Sequence, residues 1–494
     1  MKIHKPDKCF ITLIILVVFL AVHSSAAVAQ DAAAFSKTPA IPGFTLSPDR
    51  GIFLVLSDIH FDPFSDPVLA RKLASHPVER WEDDFHSSSA AGFSQYGADT
   101  NYPLLVAVLK AAQDYGVKQH YDYVIVTGDY LAHEFKKQYQ QLIGNDEAAF
   151  QAFVIKTMIF ISRTIQASFP SLPVFGILGN NDSVCGDYRL RPGSIFLDRM
   201  AKEWKGVASD KEAYRDFAAG GFYAAPHPTV PNHELLILNS TFWSASYNDA
   251  CSPIPTDPGS AELGWLTWKL YLLQLKKKTA TLIMHIPPGI DAYNSSRSGA
   301  CGPAISLWNP KYATNFLQII ATFKSILRDG YAGHMHMDDF RVIRDLAGKP
   351  FFEIHSVPAI SPNYNNNPSF EIGIYRRSDA GLVDYAVIYL ANLASFKDAK
   401  SAVLPSWLIE YSVNSEYHIP EYGPEAAMKI AVAIRSDENM RSQYLRFYNV
   451  QSAKPASVTT NNWLSYSCAQ TELTQEAFSQ CSCKNTGHDT KPDR

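Results

Sequence analysis

Six short apolar runs punctuate the first two thirds of the 494-residue chain, and they restrict its fold more than any other feature. They are Gly51–Ser57 (GIFLVLS), Tyr123–Thr127 (YVIVT), Val174–Leu178 (VFGIL), Leu235–Asn239 (LLILN), Ala280–Met284 (ATLIM) and Ile326–Ala332. Runs this short, without a polar face, read as strands buried on both sides. Helical spacing fills the gaps at Tyr102–Tyr115, Asp146–Phe169 and Leu263–Lys276. Apolar strands alternating with amphipathic helices predict a layered α/β domain. With 46% hydrophobic and 12% aromatic residues, a large core is easily built.

Chemistry gathers where these runs end. Asp58-Ile59-His60, Gly128-Asp129, Gly179-Asn180-Asn181-Asp182, Met284-His285 and Gly333-His334-Met335-His336 all lie at or just after a predicted strand. Loops at the C-terminal ends of such strands are where α/β sheets collect ligands. Asp58 and His60, one residue apart, project to the same side of an extended segment. A carboxylate such as Asp129 has two oxygens and can bridge two cations. The amide oxygen of Asn180 adds a ligand without adding charge. Alone, Asp-x-His or Gly-Asn-Asn-Asp is an ordinary turn, and a lone His285 is a core or capping residue. Together they offer four imidazoles, two carboxylates and one amide. That set suits zinc, iron or manganese and is too rich in nitrogen for calcium or magnesium alone; the export expected below makes zinc the first choice. Two such cations about 3.5–4 Å apart can hold and neutralise a phosphate ester and activate water. A small phosphorylated substrate is the expected partner.

The rest of the chain sets bounds. A formal charge of -4 excludes the basic excess of an electrostatic nucleic-acid binder. Lys2, Lys5 and Lys8, the apolar run from Phe10 to Val22 and the small residues Ala27-Val28-Ala29 read as a signal peptide over residues 1–29. A leader over 30–50 follows, then a catalytic domain over 51–400. No later segment reads as long and apolar enough to span a membrane, so the expectation is a secreted chain. Periplasm, lysosome and vacuole are the compartments in view, and peripheral membrane contact is expected only for a lipid substrate. Without Cys9, six cysteines remain, an even number that favours disulfides. Cys251 with Cys301 is the expected pair. Residues 401–494 read as a helical, Cys-containing extension, with helical spacing from Leu404 to Arg446. Asn239-Ser240-Thr241 and Asn294-Ser295-Ser296 match the N-glycosylation pattern.

The ordered motifs resemble those of the calcineurin-like metallophosphoesterases, and finer features narrow the resemblance. Ser57-Asp58-Ile59-His60-Phe61-Asp62-Pro63, Tyr96-Gly97-Ala98-Asp99-Thr100, and Gly128-Asp129 with His133 four residues on are similar to the acid sphingomyelinase-like phosphodiesterase group. So are Ser356-Val357-Pro358-Ala359-Ile360-Ser361-Pro362 and Asn367-Pro368-Ser369-Phe370. The resemblance spans roughly residues 50 to 425 and implies a four-layer α/β/β/α sandwich. It implies one metal on Asp58, His60, Asp129 and His336, and a second on Asp129, Asn180, His285 and His334. It also implies in-line attack by a metal-bridging hydroxide.

Asn181 departs from the family, where many relatives have a histidine that touches the phosphate. An amide donates a hydrogen bond but delivers no proton near neutral pH. His133 is then the expected general acid. Gly-Asn-Asn-Asp also resembles the endopolyphosphatase branch, whose anhydride leaving groups need less protonation. The expected substrates rank as a small phosphodiester or nucleotide phosphoanhydride, then polyphosphate, then sphingomyelin. Relatives that cleave sphingomyelin carry a helical domain ahead of the catalytic one, for which the leader is too short. The insert from Phe61 to Tyr102, with Trp81, His86, Phe93 and Tyr96, is expected to border the cleft. Tyr364 and Asn365-Asn366-Asn367 are expected beside it. A metal-dependent binding protein for a phosphate ligand is the non-enzymatic alternative that Asn181 keeps open.

Overall fold

A computed structural model describes residue 41 and residues 47–88, 92–248, 256–299, 301–397 and 403–483. All of them belong to the compact unit Ile41–Arg494. The expected signal peptide lies outside the described residues, as does most of the leader.

Two six-stranded sheets form the centre. The first contains β1 (Arg50–Leu56), β2 (Tyr123–Val126), β3 (Val174–Gly176), β10 (Ser369–Arg376), β11 (Leu382–Leu390) and β12 (Trp407–Ser412), in the order β12-β11-β10-β1-β2-β3. The second contains β4 (Tyr223–Pro226), β5 (His233–Leu238), β6 (Thr279–Met284), β7 (Leu327–Ala332), β8 (Asp339–Arg344) and β9 (Pro350–Ser356), in the order β4-β5-β6-β7-β9-β8. Each of the six apolar runs overlaps one of these strands. β1, β2 and β3 run parallel, as do β5, β6, β7 and β9. The sheets pack face to face: Phe53 of β1 stacks on Tyr123 at 5.0 Å and meets Tyr331 of β7 edge-on at 5.5 Å. Helices cover the outer faces, completing the α/β/β/α sandwich.

The helices start where capping chemistry allows. Asn101, Asp146 and Asp257 each accept a backbone N–H from the first turn of Tyr102–Gln119, Glu147–Ser168 and Pro258–Leu275. Such a cap is worth about 1 kcal/mol.

Four expectations are corrected. The helix Glu147–Ser168 has 22 residues and is long and apolar enough to cross a membrane by length and composition. Its Phe150, Phe153, Val154, Met158, Ile161 and Ile165 are buried in the core. Within the stretch expected to be helical, Trp407–Ser412 pairs with β11 as an edge strand. Its Trp, Ile and Tyr suit a pleated, half-buried surface; helices resume beyond it, at Pro424–Ser436 and Glu438–Phe447. Cys301 bonds to Cys483, and Cys468 to Cys481. The expected Cys251–Cys301 pair is therefore not formed, because the chain end returns to the loop after β6. Finally, Trp81 lies in the core against Phe153 and Phe160 rather than at a cleft. Phe93 stacks on Phe396, and the Tyr96 hydroxyl donates to Asn367.

Candidate active site

The C-terminal ends of both sheets point the same way, and the expected ligands meet there. Asp58 and His60 follow β1, Asp129 follows β2 and Asn180 follows β3. His285 follows β6, and His334 and His336 follow β7. The cage straddles the two sheets and has two halves. In one, His60 Nε2 lies 3.0 Å from His336 Nε2, 3.4 Å from Asp129 Oδ2 and 3.8 Å from Asp58 Oδ1. His336 Nε2 lies 3.5 Å from Asp58 Oδ1. In the other, His285 Nε2 lies 3.2 Å from Asp129 Oδ2 and 3.0 Å from Asn180 Oδ1. A nitrogen of His334 is within 4.8 Å of the His285 and Asp129 ligand atoms. Asp129 is thus shared by both halves.

Backbone strain builds this geometry. Asp58, His60, Asp129, His334 and His336 all have φ between 44° and 70°. That left-handed region costs a residue other than glycine of order 1–3 kcal/mol and clusters at functional sites. The neighbouring glycines make room. A Cβ at Gly179 would overlap Asp129 Oδ1, and one at Gly333 would come 2.6 Å from Asp58 Oδ2.

A surrounding set of hydrogen bonds aims most of these side chains. His60 Nδ1 faces Leu131 O at 2.9 Å and His285 Nδ1 faces Thr127 O at 2.8 Å. Each Nδ1–H donates to a carbonyl, which leaves the Nε2 lone pair turned into the cage. Asn180 Nδ2 donates to Asp187 Oδ1 at 2.8 Å, so its Oδ1 faces inward. Asp58 accepts the His334 backbone N–H at 3.0 Å and the Ser57 hydroxyl. Asp182 accepts from the backbone of Tyr130 and Leu131 with one oxygen and from Gly179 with the other. It ties the β2 loop to the β3 loop. Asp99, Asp182 and Asp187 carried no role from sequence. Asp187 follows a glycine in a turn, and nothing in its spacing marks its partner.

Burial and charge oppose each other here. Burial pushes His60 and His285 down, but Asp58 and Asp129 outweigh it and raise both to about 9. Burial holds His334 at about 4 and His336 well below the usual imidazole range. Burial would raise Asp58, yet His336 and His60 bring it to about 2. Asp129 is held well below the usual carboxylate range, with His285 and His60 overcoming burial. These nitrogens and oxygens face one another inside a buried space with few other partners; His336 Nδ1 has none in the described structure. That donor set fits divalent cations.

His133 stands beside the first half, with its ring stacked on His60 at 3.9 Å. Asp99 holds it twice: Oδ2 accepts the His133 backbone N–H at 2.7 Å, and Oδ1 lies 2.9 Å from Nδ1. A ring nitrogen of His133 is within 4.8 Å of the nitrogens of His60 and His336. Asn181 faces Asp129: its backbone N–H donates to Oδ1 at 2.9 Å and its Nδ2 to Oδ2 at 2.8 Å. A pocket of about 470 Å³ opens beside His334. Tyr188, Asp291, Tyr293, Tyr364 and Asn365 line it from the catalytic side and Tyr448 from the C-terminal segment. Asn366 and Asn367 are instead buried, donating to backbone carbonyls of Ser361 and Val450. Asn239 is buried too, so its glycosylation pattern is inaccessible.

A shared aspartate between two nests of imidazole and oxygen, at the strand ends of paired sheets, is the arrangement of a dimetal phosphoesterase. Residues 52–319, more than half the chain, match the calcineurin-like phosphoesterase family, and the chain belongs to it. It is by class a metal-dependent hydrolase of phosphoric esters. Among curated proteins it is 26% identical over 416 residues to cyclic GMP-AMP phosphodiesterase SMPDL3A of Bos taurus, covering 83% of this chain and 85% of that one. It is 22% identical over 449 residues to acid sphingomyelinase-like phosphodiesterase 3b of Homo sapiens, covering 88% and 90%. With sphingomyelinase phosphodiesterase D of Dictyostelium discoideum it shares 24% over 340 residues, covering 67% and 69%.

Proposed function

We propose that the chain is an exported phosphodiesterase whose centre holds two zinc ions, one on Asp58, His60, Asp129 and His336 and one on Asp129, Asn180, His285 and His334. One observation carries this reading: Asp129 Oδ2 stands 3.4 Å from His60 Nε2 and 3.2 Å from His285 Nε2, one imidazole from each half. When bound, a cation pair supplies neutralisation of phosphoryl charge and a lowered pKa for water. The disulfides favour an oxidising compartment and so support export.

The side chains supply position and protons. Asp99 orients His133 through Nδ1, which leaves Nε2 to protonate the departing oxygen. Asn181 uses one amide hydrogen on Asp129, and the second is available to a phosphoryl oxygen. Pocket chemistry guides the substrate class. None of the described residues lining it is Lys or Arg, and Asp291 adds negative charge. A polyanionic chain would be repelled there, so polyphosphate ranks below a diester carrying an aromatic base or a cationic head group. Tyrosine rings accommodate either, by stacking or by cation–π contact. The names of the relatives point to the same two substrates, cyclic GMP-AMP and sphingomyelin.

Metal analysis and hydrolysis of bis-p-nitrophenyl phosphate, with and without chelator, test the reading. A panel of cyclic dinucleotide, ATP, polyphosphate and sphingomyelin then sets the class. We expect about two metals per chain and chelator-sensitive turnover of diesters ahead of polyphosphate. Two bound metals with no turnover of any of them would leave only a phosphate-ligand binding protein.

A further inference from the structure

The helix Pro258–Leu275 covers the outer face of the second sheet, and its inner side is ordinary, with Leu263, Leu266, Leu270 and Leu273 buried. Its solvent side is not. Positions 261, 264, 267, 268, 271, 274 and 275 are exposed, and they are Ala, Gly, Thr, Trp, Tyr, Gln and Leu. A surface helix normally presents charged residues to water; this face presents none. Trp268 is 56% exposed, Tyr271 44% and Leu275 62%. Spacings of three and four align them along one side, and the two rings stack at 5.8 Å. The stripe runs directly into Lys276 and Lys277, both exposed. Neither ammonium meets a carboxylate among the described residues, whereas Lys278 is paired with Glu234.

We propose that this helix face docks the protein onto an anionic lipid membrane. Trp and Tyr rings favour the headgroup level, Leu275 reaches the acyl boundary, and the two unpaired lysines meet acidic headgroups. Charge complementarity selects this occupant. An apolar aromatic stripe that ends in two exposed lysines matches a layer that is apolar beneath and anionic at its surface. The attachment also has a direction. Lys276 and Lys277 lie just before β6 and His285 just after it, and a strand of that length spans about 20 Å. The cage therefore lies at the other end of the sheet from the lysines. Docking holds the enzyme at a surface while the cleft stays open to solutes, and is separate from catalysis.

Co-sedimentation of the purified protein with vesicles of phosphatidylcholine alone, and of phosphatidylcholine with 30% phosphatidylserine, tests this. Binding should favour the anionic vesicles at least tenfold and weaken in 0.5 M NaCl. Trp268→Ser, Tyr271→Ser and Leu275→Ser together should remove it, and Lys276→Glu with Lys277→Glu should weaken it at least tenfold. Both variants should hydrolyse a soluble diester as the parent does. Equal binding to both vesicle types, or a lysine variant that binds like the parent, overturns the assignment. So does a parent dimer in light scattering that the triple variant dissolves, since the face would then join two copies.

Discussion

Among the described residues, one buried cluster of imidazole and carboxylate sits at the strand ends and another between the sheets. In the second, His355 of β9 places Nε2 2.5 Å from Glu371 Oε2 on β10. Glu353 accepts the Tyr422 hydroxyl, and Asp338 accepts that of Tyr411. The ingredients match those of the cage, but the outcome differs. His355 and Glu371 lie within regular ladders with ordinary backbone angles, and Nε2 of one meets Oε2 of the other directly, while His355 Nδ1 and Glu371 Oε1 have no hydrogen-bond partner among the described residues. In the cage, backbone carbonyls take the outward N–H groups of His60 and His285, and five of its seven residues sit in a strained conformation. Their remaining nitrogens and oxygens converge from both sheets on one shared space. Composition does not distinguish a metal centre from an internal ion pair; the direction in which the lone pairs are spent does.

Variants can break or sharpen this contrast. Asp129→Ala should have the largest effect, lowering turnover at least about a thousandfold by removing the shared ligand. Metal occupancy should fall with it; full occupancy by elemental analysis would show that the two halves do not depend on Asp129. His133→Ala should slow turnover of poor leaving groups roughly 10²–10³-fold with metals retained. Metal loss there would make His133 a ligand instead of an acid. In the interlayer cluster, Glu371→Ala should leave metals bound and destabilise the fold by about 3–5 kcal/mol, the cost of stranding a buried charge. Denaturant unfolding measures it, and an unchanged midpoint would mean the pair is dispensable. Asp187→Ala should free the Asn180 amide and weaken one metal site roughly 10–100-fold, read by competition with a chelator. Equal affinity for both metals would refute the orienting role of Asp187.

The smallest effect concerns pH. Burial opposes charge on His355, but Glu371 and Glu353 outweigh it and raise the imidazole to about 9. A histidine raised in the folded state adds stability that is complete below its unfolded value near 6.5 and is lost as pH rises to about 9. Glu353, raised to about 8 chiefly by burial, favours the acid side as well. Unfolding free energy should therefore fall between pH 6.5 and 9, and less steeply in His355→Gln. Identical slopes would show that His355 carries no charge in the fold.

The same contrast explains what could be read in advance. β1, β2, β3, β5 and β6 stood out because an apolar run fills most of each, β7 stood out only by the apolar residues around Arg328 and Asp329, and the cage stood out because glycine precedes Asp129, Asn180 and His334. β8 to β11 did not, since Arg341, Glu353, His355, Glu371 and Asp384 interrupt their apolar pattern. Those residues are buried only because neighbouring layers of the sandwich cover them, a fact of tertiary packing. Asp99 and Asp187 were silent for a related reason: each meets its partner through the path of a loop, which spacing does not encode.

The left-handed backbone at Asp58, His60, Asp129, His334 and His336 has an evolutionary corollary. At these joints glycine would relax the chain, so replacing one of these side chains with glycine should yield a firmer but inert protein. Screens that reward thermal robustness alone would drift toward such dead variants, and any effort to harden this scaffold has to hold those five positions fixed.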